Sequence, residues 1–183
     1  MTRSRGYSLI EALIVVTVLL ILTLIAIPNY QEARIRSMVA ASRTDLRTIC
    51  QAYQSYDADH SALPPYRNLG MHFVEPHFLT TPVPYLTQVP EDLFFQAQIV
   101  DTRHGPIALT YPVAAQYAYY ALSSHYQGLL KDNIRYVLAG RGPDHQLEFG
   151  YLIVEYDPSN GVRSRGDIIM GGPGSKLDIF SSK

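Results

Sequence analysis

From Leu9 to Ile27 the chain runs for 19 residues with a single charged side chain, Glu11. At 1.5 Å rise per residue such a run forms a helix of about 28 Å, close to the hydrocarbon thickness of a bilayer. A segment of this kind can span a membrane, and the residues beyond it must supply whatever folds in water. Arg3 and Arg5 precede the run, as in a secretory signal, yet no small-residue cleavage site of the Ala-x-Ala kind follows it. An ordinary removable signal peptide therefore fits poorly. Arg34 and Arg36 balance the leading arginines, and the short amino-terminal tail favours an amino end on the inside. Glu11 is the anomaly, because a carboxylate in the apolar part of a membrane helix costs about 2 to 4 kcal/mol unless it is neutralised or paired. It either reaches the headgroups or has a partner.

The rest of the composition excludes several classes. The 183 residues leave room for one domain, and 47% hydrophobic content is enough for one core. With a formal net charge of -1 the chain has no broad cationic surface, which argues against general nucleic-acid binding. The lone cysteine, Cys50, closes no intrachain disulfide and builds no thiolate metal site.

Beyond Pro28 the apolar positions Ile35, Met38, Val39, Leu46, Ile49, Cys50, Tyr53 and Tyr56 recur at helical spacing, so one helix is expected from Leu9 to Tyr56. Its 48 residues would extend roughly 72 Å. Pro28 removes a backbone donor and should kink or locally melt the helix. Eight of the twelve prolines lie between residues 64 and 112, which predicts a largely irregular stretch with at most a short strand or turn of helix near Leu79 to Leu86. Strand signals follow at Gln116 to Ser123, Ile134 to Ala139, Leu152 to Tyr156 and Asp167 to Met170. Asp157-Pro158-Ser159-Asn160-Gly161 reads as a turn, and residues 171–183 as a flexible tail.

The string Arg5-Gly-Tyr-Ser-Leu-Ile-Glu-Ala-Leu-Ile-Val-Val16 resembles the type III signal of type IV pilins and type II secretion pseudopilins. Glycine, glutamate, apolar run and Pro28-Asn29-Tyr30 stand in the family's register, while Tyr7-Ser8 replaces the usual Phe-Thr pair. The resemblance implies cleavage by a prepilin peptidase between Gly6 and Tyr7, N-methylation of Tyr7, and a role for Glu11 in assembly. It also implies an α+β fold, in which a long kinked helix, half transmembrane and half amphipathic, packs on a small antiparallel sheet. The expected divisions are a leader at 1–6, a transmembrane segment at 7–30, an amphipathic stem at 31–57, a proline-rich connection at 58–115, a sheet at 116–170 and the tail. Pro90, Asp92 and Phe94 look like the segment that precedes the sheet in pseudopilin-like proteins.

Other candidate sites read as structure. His72, Glu75 and His77 invite a metal, but Pro76 breaks the helix that would bring them onto one face. Gly171 to Lys176 lacks the glycine spacing and following helix of a phosphate loop. Tyr117, Tyr119, Tyr120 and Tyr136 read as half-buried strand residues, and Cys50 as a small core residue. Asp144, Asp157, Asn160 and Asp167 gather around the carboxyl-terminal turns, and such oxygen-rich loops suit Ca²⁺. Major pseudopilins carry calcium in a carboxyl-terminal loop, although the spacing here matches no fixed motif. No catalytic constellation stands out, which sets aside an anchored periplasmic enzyme.

The expected function is thus that of a structural subunit of a type II secretion pseudopilus, with a type IV pilus subunit as the alternative. The subunit would wait in the bacterial inner membrane, its carboxyl-terminal domain outside the cytoplasm, and then join a helical filament. Its partners would be further copies of itself, the prepilin peptidase, the inner-membrane assembly platform and other pilins or pseudopilins. A DNA-uptake pilin would have Arg135, Arg141, Arg163 and Arg165 as its basic candidates.

Overall fold

The structure, a computed structural model, describes residues 8–64, 77–95, 117–121, 134–147 and 154–173. Its dominant element is the helix α1, Leu9–His60, of 52 residues, followed by the single turn α2, His77–Thr80. Three short strands follow: β1, Ala118–Ala121; β2, Tyr136–Gly140; and β3, Ile168–Gly172. They form an antiparallel sheet in the order β1-β2-β3, in which Tyr119 faces Leu138 and Leu138 faces Met170. The α+β expectation, a long helix with a small antiparallel sheet, holds.

The chain divides into two compact units, the first ending at Ser37 and the second beginning at Met38. In the first, α1 runs through Pro28 without interruption. Proline costs the helix one backbone donor there and does not end it.

In the second unit the helical face Val39, Ser42, Leu46, Ile49, Cys50 and Tyr53 is buried. Its steps of three and four form one stripe, and that stripe meets the sheet. Tyr53 stacks on Tyr119 with ring centroids 4.7 Å apart and lies 5.2 Å from Tyr136, whose hydroxyl donates to the Cys50 carbonyl at 3.2 Å. Burial in this cluster pushes the Tyr53 phenol well up from its ordinary value. Cys50 is a buried core residue, as expected.

Several boundaries differ from the sequence reading. α1 continues four residues past Tyr56 to His60, because its stop is Ser61 in the left-handed region (φ 52°) rather than the last apolar side chain. The Leu79 to Leu86 expectation resolves into α2, closed by a Leu86 N–H to Leu79 carbonyl bond of 2.9 Å. Of the Leu152 to Tyr156 strand, the described part makes one isolated bridge, Glu155 to Asp167. β3 runs two residues into the segment read as tail. A Cβ on Gly172 would collide with the Tyr136 ring, so glycine is what lets this strand lie under that ring. The leader, His72, Glu75, residues 65–76 and 96–116 of the proline-rich stretch, and the end of the tail lie outside the described residues.

Candidate functional site

The first N–H groups of a helix have no partner within it, so the start of α1 needs acceptors. Ser8 precedes the first helical residue and Glu11 lies three residues on, the spacing of a capping box. The Glu11 carboxylate bends back and its Oε2 accepts the Ser8 backbone N–H at 2.8 Å. The carboxylate therefore has a local partner, a possibility that the Ser-x-x-Glu spacing carries and that the sequence reading passed over. From Leu9 to Ile27 the large apolar side chains are exposed all round, from Val18 at 49% to Leu9 at 85%. This is the stretch of α1 long and apolar enough to cross a membrane. Thr17 and Thr23, the other polar residues within it, turn their hydroxyls onto the carbonyls of Leu13 and Leu19, at 2.8 and 2.7 Å.

In the second unit the carboxylates of α1 are gripped by the residues that follow the helix, here called the head. Asp45 accepts the Tyr117 hydroxyl at 3.0 Å, Asp59 accepts the Tyr85 hydroxyl at 2.7 Å, and Asp57 pairs with both terminal nitrogens of Arg135. The bond to Asp59 pushes the Tyr85 phenol up to about 12. Burial pushes the Tyr117 phenol up as well, with Asp45 adding to the shift. Tyr56, stacked on His60 with centroids 4.1 Å apart, completes a small aromatic group with Tyr85.

A second anchor lies inside the head. Asp92 is buried, its Oδ1 accepting the Phe94 N–H at 3.0 Å and its Oδ2 accepting the Arg141 N–H at 2.8 Å and Arg141 Nη1 at 3.2 Å. Burial pushes this carboxyl up, against the pull of those three bonds. The Arg141 guanidinium also lies over the Phe95 ring, 4.9 Å from its centroid. His145 Nδ1 donates to the Phe94 carbonyl at 2.8 Å, with its ring edge-on to Phe94. Asp92 and Phe94, singled out by the resemblance, are thus both buried, and the partners they find lie about fifty residues away in sequence.

Residues 1–27 match the prokaryotic N-terminal methylation motif. Over 66 residues the chain is 35% identical to the type IV major pilin protein PilA of Myxococcus xanthus (strain DK1622). Over this amino-terminal stretch the chain is similar to type IV pilins. That matched stretch makes up 36% of this chain and 30% of the relative. No solved structure matches the chain. Gly6 and Tyr7, the expected cleavage pair, fall inside the matched motif and outside the described residues, whereas Glu11 falls inside both.

The calcium candidates are distributed over two loops. Asp144 Oδ1 accepts the Gln146 N–H at 3.1 Å, and its Oδ2 accepts the Gly166 N–H at 3.3 Å. Gly142 approaches Gly166 so closely that any side chain at 142 would strike the Gly166 carbonyl, which brings Asp144 beside the backbone that leads into Asp167. Asp167 is buried, and its backbone pairs with Val154 and Tyr156. Asp157 caps the 3-10 turn Pro158–Asn160 by accepting the Ser159 N–H at 2.8 Å, which holds its carboxyl below the ordinary value of 3.8. Asn160 is exposed at the end of that turn. Among the described residues no three His, Cys, Asp or Glu side chains are grouped to hold a metal ion. Of the four arginines considered for DNA, Arg135 and Arg141 are committed to Asp57 and Asp92.

Proposed function

We propose that this chain is a structural subunit of a type IV filament, anchored in a membrane by the first half of α1 and polymerising through it after removal of residues 1–6. The observation that carries this reading is the exposed apolar segment that opens with Ser8 and Glu11, inside the matched methylation motif. Such a segment needs apolar surroundings on every side, which lipid tails provide before assembly and neighbouring copies of the same helix provide after it. Cleavage creates a cationic amine at Tyr7, one helical turn from Glu11. The carboxylate then has two donors to choose from, the Ser8 N–H of its own helix and the amine of a staggered neighbour. The neighbour's amine carries a full charge in a medium of low dielectric, so it holds the carboxylate more strongly. The exchange sets register, while the apolar surface supplies most of the contact.

Within this class, the single cysteine buried on α1 supports a secretion pseudopilus, since it leaves the head without a disulfide-closed loop. The major-pilin relative supports a type IV pilus. Loss of filaments together with loss of a secreted protein would mark the first, and loss of retraction-dependent movement the second.

The test is Glu11→Ala in cells that contain the peptidase. The cleaved chain, 177 residues by intact mass after loss of six from 183, should remain in membranes while sheared filament is lost. Removing one partner of a buried pair costs about 3 to 5 kcal/mol, enough to abolish efficient addition. Normal filament from Glu11→Ala would reduce the carboxylate to a helix cap.

A further inference from the structure

Charge on the second part of α1 is sorted by side. Beyond Ser37 its carboxylates, Asp45, Asp57 and Asp59, are all bonded to the head. Its arginines, Arg43 and Arg47, lie one turn apart on one face of the helix. Among the described residues no carboxylate pairs with either of them. Arg43 is half-buried at the edge of the covered stripe, while Arg47 is exposed, as are Ala40, Thr44, Thr48 and Gln51 nearby, and both threonine hydroxyls are turned back onto the helix carbonyls at 3.0 Å. This face therefore offers two cations and the Gln51 amide, with the threonine protons already committed.

The complementary excess lies elsewhere in the same chain. Residues 38–183 carry 11 Lys and Arg against 14 Asp and Glu. Most described carboxylates are already engaged by a cation, a hydroxyl or a backbone N–H. Glu91 differs: it is exposed, and among the described residues nothing donates to it. It neighbours Asp92, whose bonds to Arg141 and Phe94 fix the backbone that presents it.

We infer that the flank of α1 at Arg43 and Arg47 is a docking face for a second copy of this chain, whose Glu91 carboxylate it receives. The inference rests on the filament reading for its setting, and it adds a polar contact outside the membrane-spanning segment. There the surroundings are aqueous, so the pair is screened by salt and contributes specificity of approach more than strength.

Two measurements on the full chain test it. In cells with the peptidase, the double reversal Arg43→Glu/Arg47→Glu and the single reversal Glu91→Arg should each lower sheared filament about fivefold, the scale of an exposed pair turned repulsive. Cleaved subunit in membranes should stay unchanged, and combining the three substitutions should restore the yield. Separately, copies carrying Arg47→Cys and copies carrying Glu91→Cys, produced together, should be joined by a short bis-maleimide linker; buried Cys50 stays unreactive. Wild-type filament with undiminished yield from the reversals, or reduced yields without rescue, overturns the docking face. If the wild-type chain makes no filament, the filament reading fails by itself. Cross-linking then decides the docking face, which stands if the mixed copies join and falls if they do not.

Discussion

The two parts of α1 share a helix and differ in everything around it. From Leu9 to Ile27 apolar side chains surround the whole circumference and lie open, whereas from Val39 to Tyr53 they occupy one stripe and are covered by the head. The contrast separates two uses of apolar surface. A stripe is satisfied within one chain, by a sheet that needs only one side of the helix. A full circumference can be satisfied only by something that encloses it, and among the described residues nothing covers it.

The same substitution in each part gives the largest expected difference. Leu46 is fully buried and Leu20 is 60% exposed. Leu46→Ala should destabilise the full-length protein in detergent micelles by about 2 to 5 kcal/mol in denaturant unfolding followed by near-ultraviolet circular dichroism. Leu20→Ala should change that transition by about 0.5 kcal/mol or less. Equal losses would mean that the first part also packs on the head, and the comparison would collapse.

A smaller effect sharpens the comparison on the covered side. Tyr117→Phe removes the hydroxyl that reaches Asp45 and keeps the ring, so it should cost about 1 to 2 kcal/mol in the same unfolding measurement. No change would show that Asp45 is served equally well by water.

The smallest effect lies far from α1. Because the Asp157 carboxyl is held below its ordinary 3.8, its cap on the Ser159 N–H contributes fully above that value. The contribution is lost as pH falls through the lowered value. Hydrogen exchange at the Ser159 amide should accelerate across that acid window, beyond its intrinsic pH dependence, while amides of β2 remain protected. Unchanged protection of Ser159 would mean that the turn holds without its cap.

The sequence made α1 legible because periodicity survives over many turns, but its end was misplaced. The last apolar residue of the face is Tyr56, whereas the helix stops where Ser61 adopts a left-handed conformation, a choice no hydrophobic pattern encodes. β2 and β3 were found within two residues because branched and aromatic runs bounded by Gly and Pro mark them. Burial of every residue of β2 and β3 was not legible, since alternation predicts one solvated face. At the site, Glu11 was conspicuous as a charge in an apolar run, while its bond to Ser8 required reading a cap and a membrane segment in the same four residues. Arg141 was visible only as a spare cation. Its pairing with Asp92 joins residues 49 apart, a distance at which composition and spacing carry no signal.

The inward-turned hydroxyls of Thr17 and Thr23 give the spanning segment an unusual uniformity. Between Glu11 and Asn29 no side chain has an uncommitted hydrogen-bond donor to offer a neighbour, so depths along the helix differ little in chemistry. A surface of that kind has no detents. In the proposed filament, a copy sliding along it, or a subunit being drawn out of lipid, would meet resistance proportional to the area uncovered, with no fixed stops on the way. The positions at which motion halts are therefore written at the two ends of the segment, and a single added Asn midway would act as a new stop.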